Sequence, residues 1–230
     1  RQKYPVFVFV YGEPASQTVL DAWAHTRTLF HRAIADAGYL VVTMDNRGTP
    51  APKGAKWRRA VFGSLGPLST EEQAAGLREL ARTRPYVDPS RVGIWGWSAG
   101  GTNTLNALFR KPDLFACGAA LRPVTDWAHY NQGYTSAILN TPEVDPESYR
   151  KSSPIEYAEG LTRPLLIAHG MVDDNVVFQD TVRLVQRLIE LKKENFETAV
   201  YPVEPHGFKE PTSWLDEYRR IYKLMEANLK

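Results

Sequence analysis

The sequence contains only one cysteine, Cys117, so no disulfide can form within the chain and the fold must depend on its apolar core. Long hydrophobic runs are missing too. Residues 6–10 and 165–168 form the longest apolar stretches, far below the roughly 18 residues that a membrane-spanning helix needs. We therefore expect no membrane-spanning segment in this chain.

Neither sign of charge is in large excess, since 28 Lys and Arg residues oppose 26 Asp and Glu residues and leave a net charge of +2. No basic run exceeds two residues, which argues against a nucleic-acid partner or an anionic membrane surface. Internal repeats and Gly/Ser-rich or Pro-rich linkers are missing, and 230 residues suit one domain, so we expect a single domain over residues 1–230. Because the chain starts at Arg1 and a core-like strand follows five residues later, we expect it to be a piece of a longer product whose compartment the sequence leaves open.

Short apolar runs rich in β-branched and aromatic residues alternate with longer segments of helical spacing. We predict strands at residues 6–11, 40–45, 92–97, 117–121, 165–169 and 198–201. These runs lack strict polar alternation, as expected for strands that are buried on both faces of a parallel sheet. The pattern indicates an α/β fold, with a mostly parallel sheet and helices on both faces. Residues 124–154 show no clear periodicity and are predicted to form an irregular excursion above the sheet.

Residues 96–100, Gly-Trp-Ser-Ala-Gly, match G-x-S-x-G and lie between a predicted strand and a predicted helix. In that context the motif forms a tight turn that holds its serine in a strained conformation at the carboxyl end of the sheet. Gly96 and Gly100 supply the small residues that such a turn needs. We therefore predict that Ser98 is a nucleophile and that the Ala99 backbone N–H, at the start of the helix, belongs to an oxyanion hole.

A serine nucleophile needs a base, which is normally a histidine oriented by a carboxylate. His206 lies after the last predicted strand, at the expected base position, whereas His129 precedes the acid loop and His169 ends a buried strand where a structural role is expected. Asp173 and Asp174 both follow that strand, and the residues alone do not separate them as the acid. A metal site in this loop would lack a distant set of ligands, so we expect neither a metal nor a cofactor.

Tyr11 closes the first predicted strand, the place from which this fold class supplies a second oxyanion donor. Its phenol could donate a hydrogen bond to the developing negative charge. A tyrosine that only packs its ring at the end of a strand is the alternative interpretation.

Six ordered motifs cover nearly the whole chain: residues 10–14 (VYGEP) with 16–17 (SQ), 45–48 (DNRG), 96–101 (GWSAGG), 123–127 (PVTDW), 169–176 (HGMVDDNV) and 206–207 (HG). Together they resemble the prolyl oligopeptidase family of serine peptidases, and within it the dipeptidyl peptidase IV subfamily. The resemblance implies a catalytic domain of the α/β-hydrolase fold, with Ser98 as nucleophile, Asp173 as acid and His206 as base. It also implies an oxyanion hole made by Tyr11 and the Ala99 N–H.

The resemblance further implies a pocket for the substrate residue that precedes the cleaved bond, which is often proline. The positions that would line it are Val124, Trp127, Tyr130, Tyr134 and Val176, with Asn175 contacting a substrate carbonyl. The chain departs from the family pattern around this pocket: Ala99 replaces a tyrosine, Glu13 replaces a glycine, and residues 134–139 read YTSAIL instead of YTERYM. These departures leave the proline preference and dipeptide release open.

The expected function is that of a serine peptidase that hydrolyses peptide bonds through an acyl-enzyme intermediate. An esterase or acylaminoacyl hydrolase is one alternative, because fold does not determine substrate. A catalytically inactive hydrolase-fold binding module is another. The expected partner is a peptide substrate. The resemblance implies an N-terminal β-propeller in the full-length protein, which is absent from this chain. Whether the protein forms a homodimer is left open.

Overall fold

The computed structural model describes residues 2–23 and 25–230. Within these residues there are six strands, which are β1 Tyr4–Phe9, β2 Leu40–Thr43, β3 Val87–Trp97, β4 Cys117–Leu121, β5 Leu165–Gly170 and β6 Phe196–Tyr201. They form one sheet in the order β2-β1-β3-β4-β5-β6, and every neighbouring pair is parallel. The prediction of a parallel sheet is confirmed.

The position of each strand in the sheet explains how well its limits were predicted. The inner strands β4 and β5 are buried at every residue and therefore read as continuous apolar runs. The edge strand β6 exposes Glu197, Thr198 and Val200, so its first residue, Phe196, precedes the predicted start by two positions. Strand β3 begins at Val87, five residues before its predicted start, because it includes the polar segment 88–91.

Eight α-helices connect or cover the described strands: α1 His25–Asp36, α2 Ala55–Arg58, α3 Pro67–Thr83, α4 Ala99–Arg110, α5 Gln132–Leu139, α6 Pro146–Ser152, α7 Gln179–Glu190 and α8 Pro211–Leu229. Short 3₁₀ helices lie at Arg59–Val61, Trp127–His129 and Pro154–Gly160. Among the described helices, none is both long enough and apolar enough to cross a bilayer.

Alternate residues of β1 point to opposite sides of the sheet, and each side has its own apolar core. Val6 and Val8 belong to a cluster that also contains buried residues of α3, α4 and α7. Phe7 and Phe9 belong to a second cluster, with buried residues of α1 and α8. Helices therefore cover both faces of the sheet, as predicted.

The segment 124–154 is more regular than expected. It contains α5 and α6, whose first turns are capped by the side chains of Asn131 and Asp145, which accept hydrogen bonds from the backbone N–H groups of Tyr134 and Ser148. These helices have eight and seven residues, too few to repeat an apolar period in the sequence. The prediction of an irregular excursion was therefore wrong about its local structure.

Candidate active site

Ser98 occupies the one-residue turn between β3 and α4. Its backbone has φ 56° and ψ −124°, a region that non-glycine residues rarely adopt. The turn is closely packed, because a Cβ atom at Gly96 or Gly100 would overlap the carbonyl oxygen of Val10. The Ser98 N–H donates to the Leu121 carbonyl on β4 at 2.8 Å. This packing holds a strained serine at the carboxyl end of the sheet.

His206 and Asp173 come together at the same end of the sheet, from the loops that follow β6 and β5. The Nδ1 atom of His206 lies 2.7 Å from Oδ2 of Asp173. The other carboxylate oxygen, Oδ1, accepts hydrogen bonds from the backbone N–H groups of Asn175 and Val176, both at 2.9 Å. Asp174 is exposed on the same loop. The geometry therefore favours Asp173 over Asp174 as the carboxylate that orients His206.

The Asp173 carboxylate keeps its negative charge in spite of its burial. Burial acts to raise its pKa, but hydrogen bonds from His169 and His206, the positive charge that His206 can carry and the Asn175 N–H together hold the pKa well below its usual range. An ionised carboxylate next to Nδ1 keeps a proton on that nitrogen and leaves Nε2 free to accept one.

His169 supports the acid loop from below and is itself fully buried. Its Nε2 lies 2.8 Å from the Val176 carbonyl and 3.2 Å from Asp173 Oδ2, and its Nδ1 lies 2.8 Å from Thr181 Oγ1. One proton on Nε2 satisfies the first two contacts, while the Thr181 hydroxyl donates to Nδ1. His129 lies 3.6 Å from Asp126 with half of its side chain exposed. Neither histidine has the position of a base.

The phenol of Tyr11 is a neighbour of the Ser98 side chain and interacts with it electrostatically. Burial, followed by the neighbouring Tyr130 and Glu13, raises the pKa of Tyr11 to about 12, so the phenol keeps its proton and remains a donor at neutral pH. Ala99 is the first residue of α4, where backbone N–H groups have no partner inside the helix. Two hydrogen-bond donors from separate segments thus flank Ser98.

The aromatic residues of the excursion form one cluster beside the acid loop. The rings of Trp127, Tyr130 and Tyr134 lie 5.6 to 6.2 Å apart by their centroids. Val124 and Val176 pack in the same apolar cluster. A hydrogen bond of 2.8 Å joins the Tyr130 hydroxyl to Asn175 Oδ1 and ties this cluster to the loop of the acid. The structure therefore brings together all six residues that were expected to bind substrate.

The loop that carries His206 is held by charged residues that the sequence analysis missed. Buried Glu204 accepts hydrogen bonds from the N–H groups of Lys209 at 2.6 Å and Glu210 at 3.0 Å, which closes the loop. The Arg122 guanidinium lies 4.2 Å from the centre of the Phe208 ring and 2.9 Å from buried Glu217. In the sequence, the signal for this support is the position of Arg122, a basic residue that directly follows the apolar strand β4 and precedes Pro123.

A second set of unpredicted polar residues lies beneath the loop that carries Tyr11. Asn103, one turn into α4, donates from Nδ2 to the Tyr11 carbonyl at 2.7 Å, and Asn46 donates to the Gly12 carbonyl at 3.0 Å. Glu13 is fully buried, and burial raises its pKa to about 8 against the opposing effects of Asn103 and the Gly66 N–H.

Among the described residues, no group of three or more His, Cys, Asp or Glu side chains could hold a metal ion.

A family model described as the prolyl oligopeptidase family matches residues 25–230. The chain belongs to the prolyl oligopeptidase family. The resemblance predicted from the six motifs is confirmed, and so is its direction toward dipeptidyl peptidases within the family.

Similar members of the prolyl oligopeptidase family carry dipeptidyl peptidase names. Human "Dipeptidyl peptidase 8" is 35% identical over 231 aligned positions, covering 99% of this chain and 26% of the relative. A protein of Arthroderma otae named "Probable dipeptidyl-aminopeptidase B" is 38% identical, covering 99% of this chain and 24% of the relative. The chain thus spans about a quarter of the length of these relatives.

The crystal structure of Porphyromonas gingivalis dipeptidyl peptidase 4 matches this chain with a TM-score of 0.93 and 35% sequence identity. The match covers 99% of this chain and 32% of that chain. Together with the parallel sheet and its helices on both faces, it confirms the α/β-hydrolase fold.

Proposed function

We propose that this domain is the catalytic part of a serine peptidase, which hydrolyses peptide bonds through an acyl-enzyme intermediate. The observation that carries the proposal is the 2.7 Å contact between His206 Nδ1 and Asp173 Oδ2, at the end of the sheet that also carries Ser98. A strained serine, a histidine held by a carboxylate and two flanking donors are the parts that acyl transfer requires. Membership of the prolyl oligopeptidase family supports the same chemistry.

In the first half of the reaction, Ser98 Oγ attacks the carbonyl carbon of the peptide bond and gives its proton to Nε2 of His206. Asp173 stabilises the imidazolium that forms, through the hydrogen bond at Nδ1. The carbonyl oxygen becomes negatively charged and accepts hydrogen bonds from the Tyr11 hydroxyl and the Ala99 N–H. The C–N bond then breaks, and the leaving amine takes the proton from Nε2.

In the second half, a water molecule attacks the ester that joins the acyl group to Ser98. His206 Nε2 accepts a proton from the water and later returns it to Ser98 Oγ as the C–O bond of the ester breaks. The acid product leaves, and the serine and the imidazole are restored. The same two oxyanion donors serve both steps, because each passes through a tetrahedral intermediate.

The substrates that we propose are peptides with a free amino terminus, from which a dipeptide is released, as the names of the relatives indicate for those proteins. The residue before the cleaved bond would lie against the aromatic cluster, because the compact apolar ring of proline packs well against aromatic faces. The Asn175 side chain would contact a substrate carbonyl. We also propose that the whole protein carries an N-terminal β-propeller, as the family resemblance implies, and that it assembles as a homodimer.

The test is the steady-state hydrolysis, by the whole protein, of a dipeptidyl p-nitroanilide with proline at the second position and of a p-nitrophenyl ester. Ser98→Ala is the matched variant, because it removes only the attacking oxygen. We expect the wild-type protein to hydrolyse the anilide and Ser98→Ala to show no turnover of it.

Each other outcome overturns part of the proposal. Turnover of the ester alone would identify an esterase. No turnover of either substrate by a folded protein would favour an inactive binding module. Activity that survives in Ser98→Ala would exclude Ser98 as the nucleophile.

A further inference from the structure

Asn103 links the two segments that supply the oxyanion donors. It lies on α4, one turn after Ala99, and only 2% of its surface is exposed. Its Nδ2 atom lies 2.7 Å from the carbonyl oxygen of Tyr11, 3.0 Å from that of Ala99 and 3.2 Å from Oε1 of Glu13. The side chain therefore contacts both the loop after β1 and the first turn of α4.

The chemistry of these contacts determines the orientation of the amide. Two of the three neighbours of Nδ2 are carbonyl oxygens, which only accept hydrogen bonds, so the donor end of the amide must face them. Oε1 of Glu13 also accepts when the proton of that carboxyl lies on Oε2. The opposite orientation would place Oδ1 against three oxygens. Because the site is buried, water does not replace a lost donor, and the Tyr11 carbonyl would lose the hydrogen bond that Nδ2 gives it.

Close packing also holds the loop beside α4, since a Cβ at Gly100 would overlap the Val10 carbonyl, but packing alone carries no directional hydrogen bond. Gly12, between Tyr11 and Glu13, has φ 80° and packs so closely that an added Cβ would overlap the side chains of Ser69 and Asn103. Asn46 fixes the Gly12 carbonyl, but its other side-chain hydrogen bonds run to its own loop and to α3, and not to α4. Among the hydrogen bonds of the described residues, those of Asn103 are the ones that tie the Tyr11 backbone to the Ala99 turn.

We infer that Asn103 is a positioning residue for the oxyanion hole, which sets the Tyr11 hydroxyl and the Ala99 N–H at the separation that a tetrahedral intermediate requires. The inference rests on the proposed function. Oxyanion stabilisation depends on the distance between donor and oxyanion, so a shift of about 1 Å in the loop lowers the rate by about 10²-fold. The side-chain hydrogen bonds of Asn103 run to Tyr11, Ala99 and Glu13, and none of those described runs to Ser98 or His206.

The test is a double-mutant cycle of Asn103→Ala and Tyr11→Phe, measured as kcat and KM on the whole protein with the substrate that it turns over best. We expect Asn103→Ala to lower kcat by about 10- to 100-fold and to change KM by less than about threefold. In the Tyr11→Phe background the same substitution should lower kcat by no more than about threefold, since the donor that Asn103 positions is already gone.

Asn106→Ala is the matched control, because Asn106 lies on the same helix, is fully buried and makes its hydrogen bonds to Thr102 and Arg110. It should keep the wild-type kcat. Asn103→Leu, which keeps the branched shape of the side chain without a donor, serves as the second variant if Asn103→Ala fails to fold by circular dichroism.

The outcomes separate this inference from the proposed function. Equal losses from the Asn103 substitution in both backgrounds, or a wild-type kcat in a folded Asn103 variant, would overturn the positioning role. An unchanged kcat in Tyr11→Phe alone would instead remove Tyr11 from the oxyanion hole. Loss of activity in Asn106→Ala as large as that in Asn103→Ala would indicate a general packing defect and also overturn the inference.

Discussion

Glu13 offers a quantitative test of the buried polar region beneath the loop that carries Tyr11. Its side chain is fully buried, and one carboxylate oxygen, Oε2, has no hydrogen-bond partner among the described residues. Burial penalises the charged form and raises the pKa from 4.5 to about 8, although Asn103 and the Gly66 N–H partly oppose this. The folded protein therefore keeps a proton on Glu13 over a pH range in which the unfolded chain has lost it.

The sign of the pH dependence follows from this proton. Because the folded state binds more protons than the unfolded state between pH 4.5 and about 8, stability falls as the pH rises through that window. Each pH unit corresponds to about 1.4 kcal/mol, so the whole window corresponds to about 5 kcal/mol. The amide introduced by Glu13→Gln does not titrate, and its carbonyl would still accept a hydrogen bond from Asn103. The substitution should therefore remove this loss.

The assay is urea unfolding of the wild type and Glu13→Gln at pH 5, 6, 7 and 8, followed by tryptophan fluorescence. Taking the difference between the two proteins cancels the groups that titrate in both. We expect similar free energies of unfolding at pH 5 and a growing advantage for Glu13→Gln, of several kcal/mol by pH 8. A difference that stays constant from pH 5 to pH 8 would refute the reasoning, since it would mean that Glu13 is solvated and has an ordinary pKa.

Three further substitutions test the site itself. Tyr11→Phe should lower kcat by about 10²- to 10³-fold with little change in KM, because it removes one oxyanion donor; steady-state kinetics measure this, and an unchanged kcat would contradict it. Asp173→Asn should lower kcat by about 10⁴-fold, because the amide no longer holds a proton on Nδ1 of His206, and a loss below about tenfold would exclude Asp173 as the acid. It should also make the stability of the protein less sensitive to acid, since folding lowers the pKa of Asp173 and its stabilising charge is lost as the pH falls below the ordinary aspartate range; urea unfolding between pH 5 and pH 2 measures this. Gly100→Ala should lower the free energy of unfolding by more than about 2 kcal/mol, because its Cβ would overlap the Val10 carbonyl, and an unchanged melting temperature would contradict the packing of the turn.

The parts of the site that follow from local rules could be predicted from the sequence. The turn at Ser98 requires small residues on both sides, and Gly96 and Gly100 are visible as letters. His206 follows from the order of elements along the chain. The parallel sheet follows from strands that are buried on both faces, such as β4 and β5.

The remaining features depend on contacts between distant segments. Asp173 and Asp174 are adjacent in sequence, and only the direction of each side chain separates the buried carboxylate that meets His206 from its exposed neighbour. Asn103 and Tyr11 are 92 residues apart, and nothing in either local sequence indicates that one amide contacts both the Tyr11 loop and the first turn of α4. The helices α5 and α6 are stabilised by side-chain caps and by packing on neighbouring elements, and their short lengths hide them from periodicity.

The central claim is that Ser98 is an activated nucleophile, and covalent labelling tests it most directly. The whole protein, shown to be folded by circular dichroism, is treated with a fluorophosphonate probe, and the adduct is located by peptide mass spectrometry. The account predicts a single adduct on the Ser98 hydroxyl, which is lost in Ser98→Ala and formed much more slowly in Asp173→Asn. A folded protein that forms no adduct, or forms it equally fast without Asp173, would contradict the account.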